Sequence, residues 1–256
     1  MKKYLLAVAA CLSLSFITEE VKHGVITYTT KINMHKRIPP DQEEMKKMIP
    51  EFNSVQNQLF FSDSESLFKP LPVDENPFDT SGGGSWSAAT PGGGTRTIRM
   101  VMQNETYLDR EDDMMTQLRE FMGKKYIVKA ETKRMPWKLG SGTKQLLGYA
   151  CKDASFTDEN KRQIIAWYTE DIRVPIGPEG FHGLPGLILE VDINDGEMLI
   201  SADKLDLRAL KKNELKEPKG GEELTEEAYQ AMVKEQMEKM GVQGGPGGGM
   251  RMIIRN

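Results

Sequence analysis

Cysteine is scarce in this sequence: Cys11 and Cys151 are the only two in 256 residues. No disulfide framework can be built from them, and a chain of this length needs none to hold a core. A basic surplus is absent as well. Lys and Arg number 34 against 38 Asp and Glu, a formal charge of −4, so nothing points to nucleic acid. No apolar run approaches the roughly 20 residues of a spanning helix. With 28% charged and 38% hydrophobic residues, the chain is neither a multi-span membrane protein nor wholly disordered. The common catalytic signatures are missing too: no G-x-S-x-G elbow, H-E-x-x-H pair, Walker A loop or G-x-G-x-x-G before a helix. Gly140-Ser141-Gly142-Thr143-Lys144 lacks the Walker spacing and is read as a hairpin turn. The chain is therefore read as non-enzymatic and without a cofactor.

What is present begins with an address. Met1-Lys2-Lys3 is a basic start, Tyr4 to Ile17 is almost wholly apolar, and Glu19, Glu20 and Lys22 end the run. This is the pattern of a secretory signal peptide, read here as residues 1–19. Val8-Ala9-Ala10-Cys11 resembles a lipidation box, but cleavage there would leave almost no apolar core, so cleavage near 17–20 is the preferred reading. The exported chain then keeps Cys151 alone, and a lone cysteine is most often a buried one. No transmembrane span remains after cleavage. Exported, in the periplasm or cell envelope, is the expected location.

Residues 20–256 are read as one β-rich domain. Val25–Ile32, Gln163–Thr169 and Leu187–Ile193 are rich in β-branched residues and read as strands. So do Gln58–Phe61 with Ser66–Phe68 as a hairpin, Thr97–Tyr107 as one half-buried strand, and Tyr126–Ala130. Asp112–Phe121 suits a helix or a strand. Met135–Leu139 and Lys144–Cys151 flank the Gly140-Ser141-Gly142 turn. Asp195-Gly196 marks a tight turn before Met198–Ala202. A short helix follows Pro39-Pro40 and ends at Pro50, and a longer one is read over 222–240, with Thr225 as its cap. Strands follow one another without crossover helices, so the sheet should be antiparallel. Half of the 24 glycines lie in two patches, 82–94 and 241–249. They mark a flexible insertion at 69–95, with Trp86 inside it, and a Gly-rich C-terminal segment.

The most distinctive stretch runs from Gly177 to Ile188. Pro175, Pro178 and Pro185 stiffen it, four glycines at 177, 180, 183 and 186 permit close approaches, and Phe181, Leu184 and Leu187 give it something to bury. Gly183-Leu184-Pro185-Gly186-Leu187-Ile188 resembles the signature after which the GLPGLI family is named. Gly148-Tyr149-Ala150-Cys151-Lys152-Asp153-Ala154 is similar to that family's G-Y-x-C-x-K-A stretch, with Asp153 where the family often has Lys. Ala166-Trp167-Tyr168-Thr169-Glu170-Asp171-Ile172 is similar to its A-W-Y-T-x-x-I. The resemblance implies an exported protein of Bacteroidota-type envelopes, with no established activity and with genes often beside outer-membrane transporters. The strand succession also resembles envelope carriers of the lipoprotein-sorting type, in which a curved antiparallel sheet, a half-barrel, cups an apolar ligand.

The expected function is thus a non-enzymatic binding or accessory module for an apolar ligand, an outer-membrane transporter or another envelope protein. Trp137, Trp167, Tyr168, Phe181, Leu184 and Pro185 are its candidate binding residues. The alternative is copper binding through methionine, which is common here at 16 residues and whose thioether favours Cu(I). Met45/Met48, Met237/Met240 and Met250/Met252 are the closest pairs, with His23 and His35 nearby in type. Methionine on an apolar helix face is also ordinary core filling. A Cys151–His182 pair would be the route to an enzyme.

Overall fold

The computed structural model describes residues 22–38, 43–71, 84–89, 95–100, 104–239, 242–243 and 251–252. The signal-peptide reading and most of the Gly-rich segment 241–249 lie outside these residues.

The strands are β1 (Gly24–Asn33), β2 (Phe52–Phe61), β3 (Glu65–Pro70), β4 (Gly84–Ala89), β5 (Thr95–Met100), β6 (Glu105–Asp109), β7 (Met114–Phe121), β8 (Lys124–Glu131), β9 (Lys138–Leu146), β10 (Tyr149–Thr157), β11 (Gln163–Thr169), β12 (Leu187–Ile193), β13 (Met198–Asp206) and β14 (Glu222–Leu224). The helices are α1 (Glu43–Met48) and α2 (Glu226–Lys239). Twelve strands form one large, open, curved sheet in the order β14-β8-β7-β6-β3-β2-β1-β13-β12-β11-β10-β9. Every neighbouring pair is antiparallel except β14 with β8, which is parallel. Val242–Gln243 and Arg251–Met252 pair separately.

Three local readings change. Thr97–Tyr107 is not one strand. Its first half is β5, paired with β4 in a separate hairpin, and its second half is β6, which returns to the sheet beside β3. The stretch read as a flexible insertion thus contains strand backbone at 84–89, while β3 extends to Pro70. Gly140-Ser141-Gly142 is not a turn but the middle of β9, and the chain reverses at Leu147-Gly148 instead. Both of those residues have positive φ, 51° and 85°, as a two-residue hairpin turn requires. The longer helix begins late: 222–224 is β14, laid against Tyr126 and Ile127 because Gly221 has no Cβ to hold it off. Thr225 does cap α2, its hydroxyl accepting from the Ala228 amide at 3.2 Å. The ambiguous 112–121 stretch resolves as β7.

Period-2 alternation sorts side chains onto two faces. On the inner face Ile26 and Tyr28 of β1, Leu59 and Phe61 of β2, Phe68 of β3, Leu108 of β6, Ile200 of β13 and Val191 of β12 join one buried cluster. On the outer face a register row of Val25, Phe60, Leu67, Tyr107 and Thr116 is also buried. The segment after β13 reaches this side of the sheet. There Glu217 accepts from Thr116 at 2.9 Å and pairs with Lys129 at 2.9 Å. These bonds hold the Glu217 carboxyl below its ordinary range. Helix α2 docks by Tyr229 against Tyr126, ring centroids 5.7 Å apart, and by the Glu226–Arg119 pair at 2.9 Å.

Candidate functional site

The connection from β11 to β12, residues 170–186, is ordered, and it is built into the core. The Leu187 amide donates to Ile172 O at 3.0 Å, Ile188 to Ile176 O at 2.9 Å, and Gly183 to Pro175 O at 3.0 Å. Ile176 and His182 form an antiparallel bridge, so the 177–181 turn is tied at its base. Ile172, Val174, Ile176 and Leu184 are 4%, 1%, 0% and 1% exposed, and they join the inner-face cluster. The glycines sit where backbone meets other atoms closely. A Cβ at 177 would stand 2.7 Å from Ile188 Cβ, and one at 186 only 1.9 Å from Thr169 O. Gly180 lies against Met115 of β7 and Thr106 of β6. From β12 to β6 is five strand spacings, roughly 24 Å on a flat sheet. A tight turn touches both because the sheet curves around it. Tyr28 completes the tie from below: its hydroxyl, fully buried, donates to Ile188 O at 2.6 Å. Burial pushes that phenol well above its ordinary pKa.

Among the described residues the inner face is lined by the protein's own buried side chains. The six residues expected to line one pocket divide among four places. Tyr168 and Leu184 are in the core, 2% and 1% exposed. Trp137 and Phe181 meet Phe156, which sequence reasoning missed, in an inner-face aromatic cluster. Trp137 packs on Phe156 at 4.7 Å edge to face and on Phe181 at 6.3 Å, and its indole N–H donates to His182 O at 2.8 Å. Trp167 lies on the outer face, and Pro185 is exposed. The signal for this split was present: Trp167 and Tyr168 are adjacent in a strand, so they face opposite ways.

Trp167 heads a second constellation, on the outer face of β9–β13. Asp153, Trp167, Glu190 and Ser201 stand opposite one another on successive strands. Lys144 lies 4.4 Å over the Trp167 ring and pairs with Glu190, which also accepts from Ser201 at 3.2 Å. Asp153 accepts from the Gly142 amide at 2.6 Å. The glycines of β9 exist for that carboxylate: a Cβ at 140 would lie 2.1 Å from Asp153 Oδ2. Gly140→Ala is expected to shift the thermal midpoint downward by several degrees, and Asp153→Ala in the same chain to restore most of it. A double-mutant melting cycle reads the coupling.

Cys151 is 1% exposed, its thiol pushed up by burial and donating to Tyr149 O at 3.6 Å; raised thiols are poor nucleophiles. His182 Nδ1 is engaged by Gly180 O at 2.8 Å, and among the described residues no hydrogen bond joins it to Cys151. Among the described residues no group of three His, Cys, Asp or Glu gathers to hold a metal ion. His35 Nε2 is engaged by Ile49 O at 2.9 Å, and the side chains of Met45, Met48, Met237, Met240, Met250 and Met252 lie outside the description. A half-open groove of about 480 Å³ lies beside α2, lined by Phe121, Met122, Tyr126, Leu224 and Met232 among others. No helix among the described residues is long and apolar enough to cross a membrane.

Comparison with known proteins adds to this geometry. No curated protein matches the chain in sequence. Two crystal structures of PNGF-II, in space groups P21 and C2, are similar in fold. Each is 18% identical and covers 83% of this chain, with TM-scores of 0.53 and 0.54. The chain spans only about a third, 33%, of the length of PNGF-II. A family model described as "Protein of unknown function (Porph_ging)" matches residues 155–190, which run from β10 through β11 and the tied connection into β12.

Proposed function

We propose that this protein is an exported cell-envelope module of the GLPGLI type that binds a protein partner and carries out no bond-making chemistry. The observation that carries the reading is how the motif-bearing connection is used. Leu184, Leu187 and Ile188 are buried, and Gly177 and Gly186 are close-packed. A segment spent on packing supports a scaffold, whose binding surface lies elsewhere. An inner face lined by the chain's own buried side chains favours a protein partner over an apolar ligand. The outer face around Trp167 is the surface left for it, since an indole presented on a rigid sheet suits protein recognition. An outer-membrane transporter is the partner the resemblance suggests.

The test is made in cells of the native host. The full chain carries a photo-crosslinking amino acid at Ile165, on the outer face beside Trp167. The expected result is export to the envelope fraction and one discrete adduct with an outer-membrane protein, weakened by Trp167→Ala. Cytoplasmic retention, or adducts no more frequent than from a position on α2, contradicts the reading.

A further inference from the structure

We infer that β9 is a docking edge for an extended, acidic polypeptide segment of the partner. The inference rests on the accessory reading and names how the partner is held. Strand β9 ends the twelve-strand order, with β10 on one side and no strand on the other among the described residues. All nine of its residues are exposed or half-exposed. Leu146 and Tyr149 close the hairpin turn, so Leu146 and Lys144 turn their backbone groups toward β10. Thr143 and Gln145 turn theirs outward. Such a row of open N–H and C=O groups is completed by another strand.

Natural edges are usually shortened or covered; this one runs nine residues. Among the described residues, two of the four exposed large hydrophobics, Leu139 at 65% and Leu147 at 40%, belong to it and its turn. Charge selects the occupant. From Thr132 to Lys152 the chain carries Lys133, Arg134, Lys138, Lys144 and Lys152 and not one carboxylate, in a protein whose net charge is −4. Lys133, Lys144 and Lys152 have acidic partners within the chain, while Arg134 and Lys138 face solvent. An acidic segment complements this edge. A second copy of β9 would bring the same cations against each other, which argues against a symmetric dimer through it.

The experiment is an amide-shift titration of the labelled exported chain. The probe is a nine-residue peptide of alternating Thr and Glu, set against its Thr–Lys counterpart. The expected result is movement of the Thr143 and Gln145 amides with the acidic peptide at an affinity at least tenfold above the basic one. Thr143→Pro, which removes an outward donor, should abolish it while the melting temperature stays within a few degrees. Arg134→Glu with Lys138→Glu should weaken it at least fivefold without touching the strand backbone. Equal response to both peptides, or no response, overturns the inference. So do β9 shifts that grow with protein concentration and no peptide, which would make a second copy the occupant. Envelope adducts from Ile165 together with a silent β9 would sink this inference and leave the accessory reading standing.

Discussion

Gly186→Ala is expected to destabilise the protein by about 3 kcal/mol or more. The new methyl would meet Thr169 O at 1.9 Å, Thr169 C at 2.7 Å and Glu170 Cα at 3.1 Å. All three are backbone atoms at the end of β11, so no side-chain rotation relieves the overlap. Either the strand end or the returning connection must move, and both are tied by the Leu187–Ile172 and Ile188–Ile176 bonds. For a domain of this size the melting temperature should fall by roughly 6–12 °C. Gly183, three residues earlier in the same hexapeptide, is the internal control. Its φ is +86° and nothing stands within 4 Å of its Cβ position, so Gly183→Ala should cost only about 1 kcal/mol of backbone strain. Urea unfolding of the two variants side by side checks the prediction. A Gly186→Ala chain as stable as Gly183→Ala would mean that the connection does not pack against β11 as described.

Leu184→Ala is the second large effect. Leu184 is 1% exposed, inside the cluster that also holds Ile176, Ile188 and Tyr168. Removing its side chain takes away transfer free energy and leaves a cavity, which together cost about 2–5 kcal/mol. Pro185, its neighbour, is exposed. Pro185→Ala should cost less than about 1 kcal/mol, chiefly by loosening the unfolded chain. The contrast separates a keystone from a surface loop: in a loop resting on the sheet from outside, the two substitutions would cost alike. Equilibrium denaturation, with unchanged m-values to show that the unfolded state is the same, measures both.

These residues also show what sequence reading reaches. The β-branched runs at 25–32, 163–169 and 187–193 are strands because local propensity and burial agree there. The Asp195-Gly196 turn, with φ of 54° and 76°, and the Thr225 cap are local chemistry and equally legible. Gly140-Ser141-Gly142 misleads because its glycines answer a carboxylate eleven residues on from Gly142, at Asp153, and a contact across a hairpin leaves no local trace. Thr97–Tyr107 misleads because a uniform alternation hides the point where the chain leaves one sheet for another. The parallel β14 is set by the close approach of Gly221 to β8, again a tertiary fact.

The site was half legible for the same reason. The prolines and glycines of 175–186 announce an ordered connection, and the apolar residues among them announce burial. Which aromatic residue faces which side follows from parity, and that alone separates Trp167 from Tyr168. Lys144, Asp153 and Glu190 gave no signal, because scattered charges read as a solvated surface until the strand register places them around one indole.

Native-state hydrogen exchange of the Ile176, Gly183, Leu187 and Ile188 amides tests the central claim most directly. If the connection is part of the core, these four exchange only with global unfolding, at the same free energy as amides inside β11 and β12. Exchange several kcal/mol below the global value, with β11 and β12 still protected, would show a separately opening loop and contradict the account.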